Sequence, residues 1–303
     1  MFDEPVYRPP WEAASMLLPL TQSCTWNRCK FCYRSKDYPF RIAPTEAFEK
    51  MTEAQARHYP KGAPVFLVGS NNFALSARRL NEYLDILDRQ VPEHGRVSMF
   101  SRVDAIAAKS DEELQQLASR GPLHLYVGTE NGNDAILSLM DKGHTAREAE
   151  EQLKRLDRAG IAYTVFYILG LGGKGKGREA GADTAALFNK VHPERIVTTG
   201  MTVTDGTGAR DMEDAGEYVQ ASEREKLEEL ETFIETIRVP SIYDGLHALN
   251  PVHYQFNTGD DVARSQVLAD IRRILETYSD SELEAAVGRR EMEEQVKPRG
   301  PGQ

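Results

Sequence analysis

The chain has 303 residues, and its 47 acidic and 37 basic side chains leave a net charge of −10. With 28% charged and 40% hydrophobic residues, the composition is that of a globular protein with one large domain, or one domain and a small extension. Because phosphate binding needs a basic face, this charge argues against a general nucleic-acid binder and makes nucleic acid an unexpected partner. No apolar run approaches the roughly 18 residues of a membrane helix, and no signal peptide is evident, so we expect a cytoplasmic protein without a membrane partner.

Apolar runs and helical periodicity alternate along the first two thirds of the chain. The first predicted strand, 16–22, follows a proline-rich lead, and five more strands are predicted at 64–68, 96–101, 123–128, 162–169 and 195–201. Helices are predicted between the strands at 44–58, 76–89, 103–119 with a break near Ser110, 133–140, 145–159 and 179–191. Six strand–helix units with continuous apolar strands predict an α/β fold with a parallel sheet, arranged as an open, partial (β/α)6 TIM-like barrel.

The rest of the chain differs in character. Residues 222–237 predict an acidic amphipathic helix that begins after Ser222, residues 244–260 are irregular, and a further helix is predicted at 261–278. We therefore divide the chain into a lead (1–15), a barrel core (16–205), an extension that closes the barrel mouth (206–278) and a charged tail (279–303). The tail is weakly apolar, so we expect it to fray.

All three cysteines lie within nine positions directly after the first predicted strand. Cys24, Cys29 and Cys32 have the spacing C-x4-C-x2-C, and three thiols cannot all pair as disulfides. Thiolates select zinc, copper(I) or iron–sulfur clusters, and three of them leave one iron of a 4Fe–4S cluster open to another ligand. A structural zinc site normally has a fourth ligand at short spacing, and the nearest following histidine, His58, lies far away in a helical pattern. Zinc and ordinary buried cysteines stay open as alternatives.

This motif, after the first strand of a six-strand partial barrel, resembles the radical S-adenosylmethionine (SAM) superfamily. The spacing is similar to a branch with elongator- and coproporphyrinogen-dehydrogenase-like cores, and the similarity is carried by residues 27–32, 126–132, 142–143, 168–174 and 247–250. The resemblance implies that Cys24, Cys29 and Cys32 bind one 4Fe–4S cluster whose open iron chelates SAM. Reduction of the cluster would cleave SAM, usually into methionine and a 5′-deoxyadenosyl radical that takes a hydrogen atom from the substrate.

The resemblance also assigns cofactor contacts to residues of the cysteine loop and the strand ends, namely Phe31, Gly69, Ser70, Asn71, Ser101, Arg102, Glu130, Gly170 and Leu171. Residues 69–71 match an element that contacts the methionine amino group, although its acid is absent here. Glu130 suits ribose hydroxyls, Arg102 suits a carboxylate, and the backbone at Gly170 approaches adenine. The catalytic candidates are His247, Asn250 and Tyr167. Turn formation, loop hydrogen bonding and core packing are the plain structural alternatives for these residues.

We expect an enzyme that acts on a small molecule and receives electrons from a donor such as flavodoxin or ferredoxin. The absence of a fourth cysteine argues against an auxiliary cysteine-bound cluster, and so against sulfur insertion that consumes one. Modification of a peptide or RNA is the alternative within enzymology. A non-catalytic iron–sulfur carrier or sensor is the alternative outside it.

Overall fold

The computed structural model describes residue 2 and residues 4–36 and 38–287. Its strands form two sheets, one of eight strands and one of two. In chain order the strands are β1 (Met16–Pro19), β2 (Thr21–Gln22), β3 (Arg41–Ile42), β4 (Val65–Val68), β5 (Val97–Arg102), β6 (Leu123–Glu130), β7 (Ala162–Leu169), β8 (Arg195–Gly200), β9 (Ile242–Asp244) and β10 (Gln255–Asn257).

The large sheet has the strand order β1-β4-β5-β6-β7-β8-β9-β10. Parallel pairing joins β1 to β4, β4 to β5, β5 to β6 and β8 to β9, whereas β10 runs antiparallel to β9. The short strands β2 and β3 pair antiparallel on either side of the cysteine loop, with Thr21 opposite Ile42. The prediction of a mostly parallel α/β sheet is confirmed, and the six predicted strands are its first six.

Helices follow the strands as parallel connections require. They are α1 (Thr45–Ala56), α2 (Ala77–Gln90), α3 (Val103–Ala107), α4 (Asp111–Ala118), α5 (Asp134–Leu139), α6 (Ala146–Ala159), α7 (Gly177–Phe188), α8 (Gly208–Asp214), α9 (Glu223–Thr236), α10 (Asp261–Thr277) and α11 (Asp280–Ala286). The predicted break near Ser110 is confirmed, because the Ser110 hydroxyl accepts the Glu113 N–H while the Glu113 carboxylate accepts the Ser110 N–H. This capping box starts α4 as a separate helix.

The C-terminal third contains more regular structure than its sequence predicts. Helix α8 was not predicted, and the stretch predicted to be irregular contains β10, which has only three residues and exposed ends. Helix α11 begins after a capping box at Ser279, inside the tail that was expected to fray. The rest of that expectation concerns residues 288–303, which lie outside the described residues. Strands of three residues carry too short a pattern to predict.

The chain divides into two compact units. Unit 1 comprises Met1–Asn27, Arg34–Thr129 and Arg147–Val165, and unit 2 comprises Arg28–Tyr33, Glu130–Ala146 and Phe166–Gln303. The apolar centre of unit 1 includes Phe48 and Tyr83, whose rings meet edge to face. In unit 2 a buried cluster includes Ile168, Leu171 and Met201. Each unit therefore buries apolar side chains of its own.

Over the described ranges, no helix has both the length and the apolar character required to cross a membrane. The cytoplasmic location stays a prediction.

Candidate cluster and cofactor site

The cysteine loop belongs to both units. Cys24 is in unit 1, whereas Cys29 and Cys32 are in unit 2, where the Cys32 N–H donates to the Cys29 carbonyl at 3.2 Å. None of the three forms a disulfide. Ser23 and Asn27, on either side of Cys24, have positive φ angles of 67° and 49°. Non-glycine residues rarely adopt this conformation, and such strain concentrates at functional positions.

The donor set fits an iron–sulfur cluster by its chemistry, because three thiols supply soft ligands and leave one iron open. Within the described ranges no three His, Cys, Asp or Glu side chains form a group arranged to hold a metal ion. The assignment of the three cysteines as ligands therefore depends on residue type and spacing, and it stays a prediction.

In unit 1, Asn71 joins the cysteine loop to the ends of two strands. Its amide nitrogen donates to the Thr25 hydroxyl at 2.8 Å, and its amide oxygen accepts the Arg102 N–H at 3.1 Å. The side chain is fully buried. Because both amide groups already bind protein atoms, Asn71 fixes the position of the loop after Cys24 relative to β4 and β5.

Arg102 holds the same loop through an aromatic contact. Its guanidinium carbon lies 5.1 Å from the centroid of the Trp26 ring, and its Nε donates to Asp104 at 2.9 Å. The residue is buried although it carries a charge. The neighbouring Ser101 hydroxyl donates to the Arg102 carbonyl at 2.9 Å. A buried guanidinium against an indole is a favourable cation–π pair, so Arg102 orders Trp26, two residues after Cys24.

A carboxylate from the N-terminal lead lies beside the turn after β4. Glu4 accepts hydrogen bonds from the Ser35 hydroxyl at 2.8 Å and from the Ser23 N–H at 2.5 Å. The Ser35 hydroxyl also lies 2.8 Å from that of Ser70. Gly69 has no room for a side chain, since an added Cβ would meet polar atoms at 2.2 Å. Sequence reasoning missed Glu4, because nothing in the N-terminal lead indicates a partner so distant in the chain.

In unit 2, Glu130 forms a buried ion pair. Its carboxylate lies 3.0 Å from the Lys142 ammonium group, which also lies 6.0 Å from the centroid of the Phe31 ring. Glu130 has a positive φ angle of 65° at the end of β6. The backbone next to Phe31 is anchored nearby, because the Lys30 N–H donates to the Met140 carbonyl at 3.0 Å. Lys142 was not among the predicted site residues, although it follows Glu130 by only 12 positions.

The glycine-rich turn after β7 is bonded within unit 2. The Gly170 N–H donates to Glu229 at 2.8 Å, and the Tyr218 hydroxyl lies 3.2 Å from the Gly170 carbonyl and 3.3 Å from that of Leu171. The Leu171 side chain is part of the buried apolar cluster. Any cofactor contact at these two residues must therefore come from the backbone, as the sequence interpretation assumed.

Tyr167 lies in the interior of unit 2. Its side chain is fully buried, and its hydroxyl donates to the Glu229 carboxylate at 2.5 Å. Burial raises the pKa of Glu229 from 4.5 to about 8, although the hydrogen bonds from Tyr167 and Gly170 oppose the shift. Burial also raises the pKa of Tyr167 well above its ordinary value. These contacts explain the position of Tyr167 structurally, and its catalytic role stays a prediction.

His247 and Asn250 lie at the carboxyl end of β8. The His247 Nδ1 is 3.0 Å from the Thr199 hydroxyl, on the exposed side of the loop. Asn250 is buried, and its amide donates to the carbonyls of Thr198 at 2.9 Å and Gly245 at 2.8 Å. Asn250 therefore ties its own loop to β8, whereas His247 stays accessible.

Comparison with known proteins identifies the family. The profile of the radical SAM superfamily matches residues 18–185. A tRNA-2-methylthio-N(6)-dimethylallyladenosine synthase from Hahella chejuensis is 32% identical over 96 residues, which are 30% of this chain and 20% of that protein. This chain thus matches about a fifth of the relative's length. The prediction that nucleic acid is an unlikely partner is not supported, since this relative is named as an enzyme that modifies tRNA.

Solved structures share the fold. Coproporphyrinogen III oxidase (HemN) from Escherichia coli has a TM-score of 0.55 and 18% identity, over 74% of this chain and 53% of that one. Elp3 from Methanocaldococcus infernus has a TM-score of 0.50 and 15% identity, over 73% and 59%. The narrower branch defined by the cysteine spacing stays a prediction. The chain belongs to the radical SAM superfamily, and it is therefore an enzyme of the radical SAM type whose cofactors are a 4Fe–4S cluster and SAM.

Proposed function

We propose that Cys24, Cys29 and Cys32 hold the cluster and that the enzyme starts hydrogen abstraction from a small-molecule substrate. The observation that carries this proposal is the cysteine loop itself, with three thiols in nine positions and strained residues on both sides of Cys24. When bound, the cluster and SAM supply reductive C–S bond cleavage, which is the source of the radical. The electron comes from a donor such as flavodoxin or ferredoxin.

In unit 1 the task of the protein is to keep the loop in one conformation. Asn71 and Arg102 bind Thr25 and Trp26, so the backbone that follows Cys24 is fixed at the carboxyl ends of β4 and β5. Strand ends on one edge of a parallel sheet are the usual location of functional groups. A fixed ligand loop reduces the reorganisation that cofactor binding would otherwise require.

In unit 2 the proposal assigns two contacts with the nucleoside part of SAM. Glu130 accepts hydrogen bonds from ribose hydroxyls, and the ammonium group of Lys142 compensates its charge at 3.0 Å. The backbone of Gly170 and Leu171 approaches the adenine ring. Gly170 has no side chain that could separate its backbone from the adenine ring, and the Leu171 side chain is part of the buried apolar cluster.

A small-molecule substrate is supported by the charge of the chain. The net charge of −10 disfavours polyanions, whereas it places no restriction on a small ligand. Sulfur insertion is not part of the proposal, because these 303 residues contain only the three cysteines assigned to the cluster.

The test is anaerobic reconstitution with iron and sulfide, followed by reduction with dithionite in the presence of SAM. Chromatography with mass spectrometry should detect 5′-deoxyadenosine and methionine in equal amounts. A protein with four irons and four sulfides that leaves SAM intact would contradict the proposal.

RNA is the second candidate substrate, favoured by the tRNA-modifying name of the relative from Hahella chejuensis. Fluorescent tRNA titrated into the reconstituted enzyme at about 50 and about 200 mM salt separates the two candidates. Binding that weakens steeply with salt would support RNA, since phosphate contacts release counterions. Absence of binding at the lower salt concentration would support the small molecule.

A further inference from the structure

Helix α9 buries charged side chains that its sequence gives no reason to bury. Glu223, Lys226 and Glu229 have at most 1% of their surface exposed, although the sequence predicts an ordinary acidic amphipathic helix. Burying a charge is costly unless the group is paired and hydrogen-bonded. Their hydrogen-bond partners therefore indicate what the helix stabilises.

Glu229 binds the carboxyl end of β7 with both oxygens. One oxygen accepts the Tyr167 hydroxyl at 2.5 Å, and the other accepts the Gly170 N–H at 2.8 Å. The two donors lie on either side of the strand's last residues. Because both bonds end on one carboxylate, the turn at Gly170 is held relative to the strand that precedes it.

Lys226 of α9 binds the backbone directly after the neighbouring strand, β8. Lys226 donates to the carbonyl of Met201, the residue after β8, at 2.6 Å, and to the Glu223 carboxylate at 3.0 Å. Lys226 and Glu229 are three positions apart, so they project from the same side of the helix. One helix face thus holds the carboxyl ends of two adjacent strands.

Close packing leaves the turn little freedom. Gly170 has a φ angle of 76°, and a Cβ added there would lie 2.9 Å from the Lys226 side chain and 3.2 Å from Ala221. The backbone therefore contacts the region of α9 directly. In this position the Gly170 N–H lies 2.8 Å from the Glu229 carboxyl oxygen.

We propose that Glu229 is a positioning residue for SAM, because it fixes the Gly170 N–H and with it the backbone that faces the adenosine half of the cofactor. This inference rests on the proposed function, which assigns adenine to Gly170 and Leu171. We assign Glu229 no direct contact with SAM, because its two oxygens already bind Tyr167 and Gly170. Its removal should reduce affinity for ligands that contain adenosine and leave the affinity for methionine unchanged.

The experiment measures equilibrium dialysis of SAM, 5′-deoxyadenosine and methionine with the reconstituted enzyme. In Glu229→Leu the side chain has a similar size but no oxygen to accept the Gly170 N–H or the Tyr167 hydroxyl, so the turn loses its hydrogen bond to α9. We expect dissociation constants for SAM and 5′-deoxyadenosine to rise about tenfold, the size of one such bond, with methionine binding unchanged. Glu229→Asp keeps a carboxyl group but shortens its reach, and it should produce the same pattern if the Leu variant does not fold.

Glu225→Leu is the matched control. Glu225 lies one helical turn earlier and accepts the Gly175 N–H at 2.7 Å, further along the same glycine-rich segment. Its variant should bind all three ligands within about twofold of the wild type. Wild-type affinity for 5′-deoxyadenosine in both Glu229 variants, or an equal loss for methionine, would overturn the inference. Failure of the wild type to bind SAM with an intact cluster would instead overturn the proposed function.

Discussion

The ammonium group of Lys142 lies 3.0 Å from the carboxylate of Glu130, and both side chains are largely buried, with 5% and 12% of their surface exposed. Glu130 ends β6 in a left-handed backbone conformation that costs energy. The pair therefore combines backbone strain with desolvated charge at one strand end. The proposed function assigns this carboxylate to the ribose hydroxyls of SAM.

Replacement of Lys142 by Met should leave the Glu130 carboxylate buried without this ion-pair partner. We expect the free energy of unfolding to fall by about 3 kcal/mol, because an uncompensated buried charge is strongly destabilising. Denaturant unfolding measures this change. Lys154→Met is the control, since Lys154 pairs with Glu150 at 2.6 Å in a more exposed position and should change stability by less than about 1 kcal/mol. Equal losses in the two variants would contradict the importance of burial.

Cys29→Ala should abolish the cluster and SAM cleavage together. The chain has no fourth cysteine to replace the lost ligand. Iron and acid-labile sulfide measured after anaerobic reconstitution should fall from about four of each per chain to a small fraction of that. A chelator that strips iron from the wild type should reproduce the loss of cleavage. A Cys29→Ala protein that retains four irons and still releases 5′-deoxyadenosine would refute the ligand assignment.

The strands could be predicted from the sequence because each predicted strand contains consecutive apolar residues. Val65–Val68 is an uninterrupted apolar run, and all four of its residues are buried, as a strand covered on both faces requires. The cysteine loop was evident as well, because its three cysteines lie within nine positions.

The contacts that shape the candidate site are distant in sequence. Gly170 and Glu229 are 59 positions apart, and Ser70 and Glu4 are 66 apart. A glutamate in a predicted acidic helix, or in a proline-rich lead, has no local pattern that distinguishes a buried partner from a solvated charge. Only the packing of whole elements identifies those carboxylates.

Gly69→Ala should strongly destabilise the turn after β4. The φ angle of Gly69 is 150°, and an added Cβ would lie 2.2 Å from both Asn72 Oδ1 and Thr21 Oγ1. Gly121 is a matched control, because its φ angle of 142° is similar and an added Cβ meets nothing within 4 Å. We expect Gly121→Ala to cost about 1 kcal/mol from backbone strain and Gly69→Ala to cost at least about 2 kcal/mol more. Equal melting temperatures for the two variants would show that the turn relaxes freely.

Asn250→Ala should lower stability, whereas His247→Ala should not. Asn250 is buried, and its amide donates to the carbonyls of Thr198 at 2.9 Å and Gly245 at 2.8 Å. The alanine variant removes both hydrogen bonds. A loss of about 2 kcal/mol is expected, corresponding to a fall in Tm of about 5 °C. His247 is exposed, so its variant should melt close to the wild type. If His247→Ala alone reduces substrate turnover while SAM cleavage persists, it gains support as a substrate contact.

The stability of the protein should depend on pH through Glu229. Burial raises its pKa from 4.5 to about 8, so the folded chain holds a proton between these values that the unfolded chain releases. Stability from this group is therefore greatest at low pH and falls as the pH rises to about 8, with a maximum slope of about 1.4 kcal/mol per pH unit. Lys226 acts in the opposite sense at higher pH, because burial lowers its pKa from 10.5 to about 8.

Glu229→Gln should remove the decline below pH 8. Tm recorded at intervals from pH 5 to pH 8 should show the difference between wild type and variant decreasing steadily, because only the wild type releases a proton at residue 229 when it unfolds in this range. The exposed carboxylate of Glu276 provides the control, and Glu276→Gln should follow the wild-type curve. Parallel curves for wild type and Glu229→Gln would mean that Glu229 is ionised throughout this range, with the hydrogen bonds from Tyr167 and Gly170 outweighing burial.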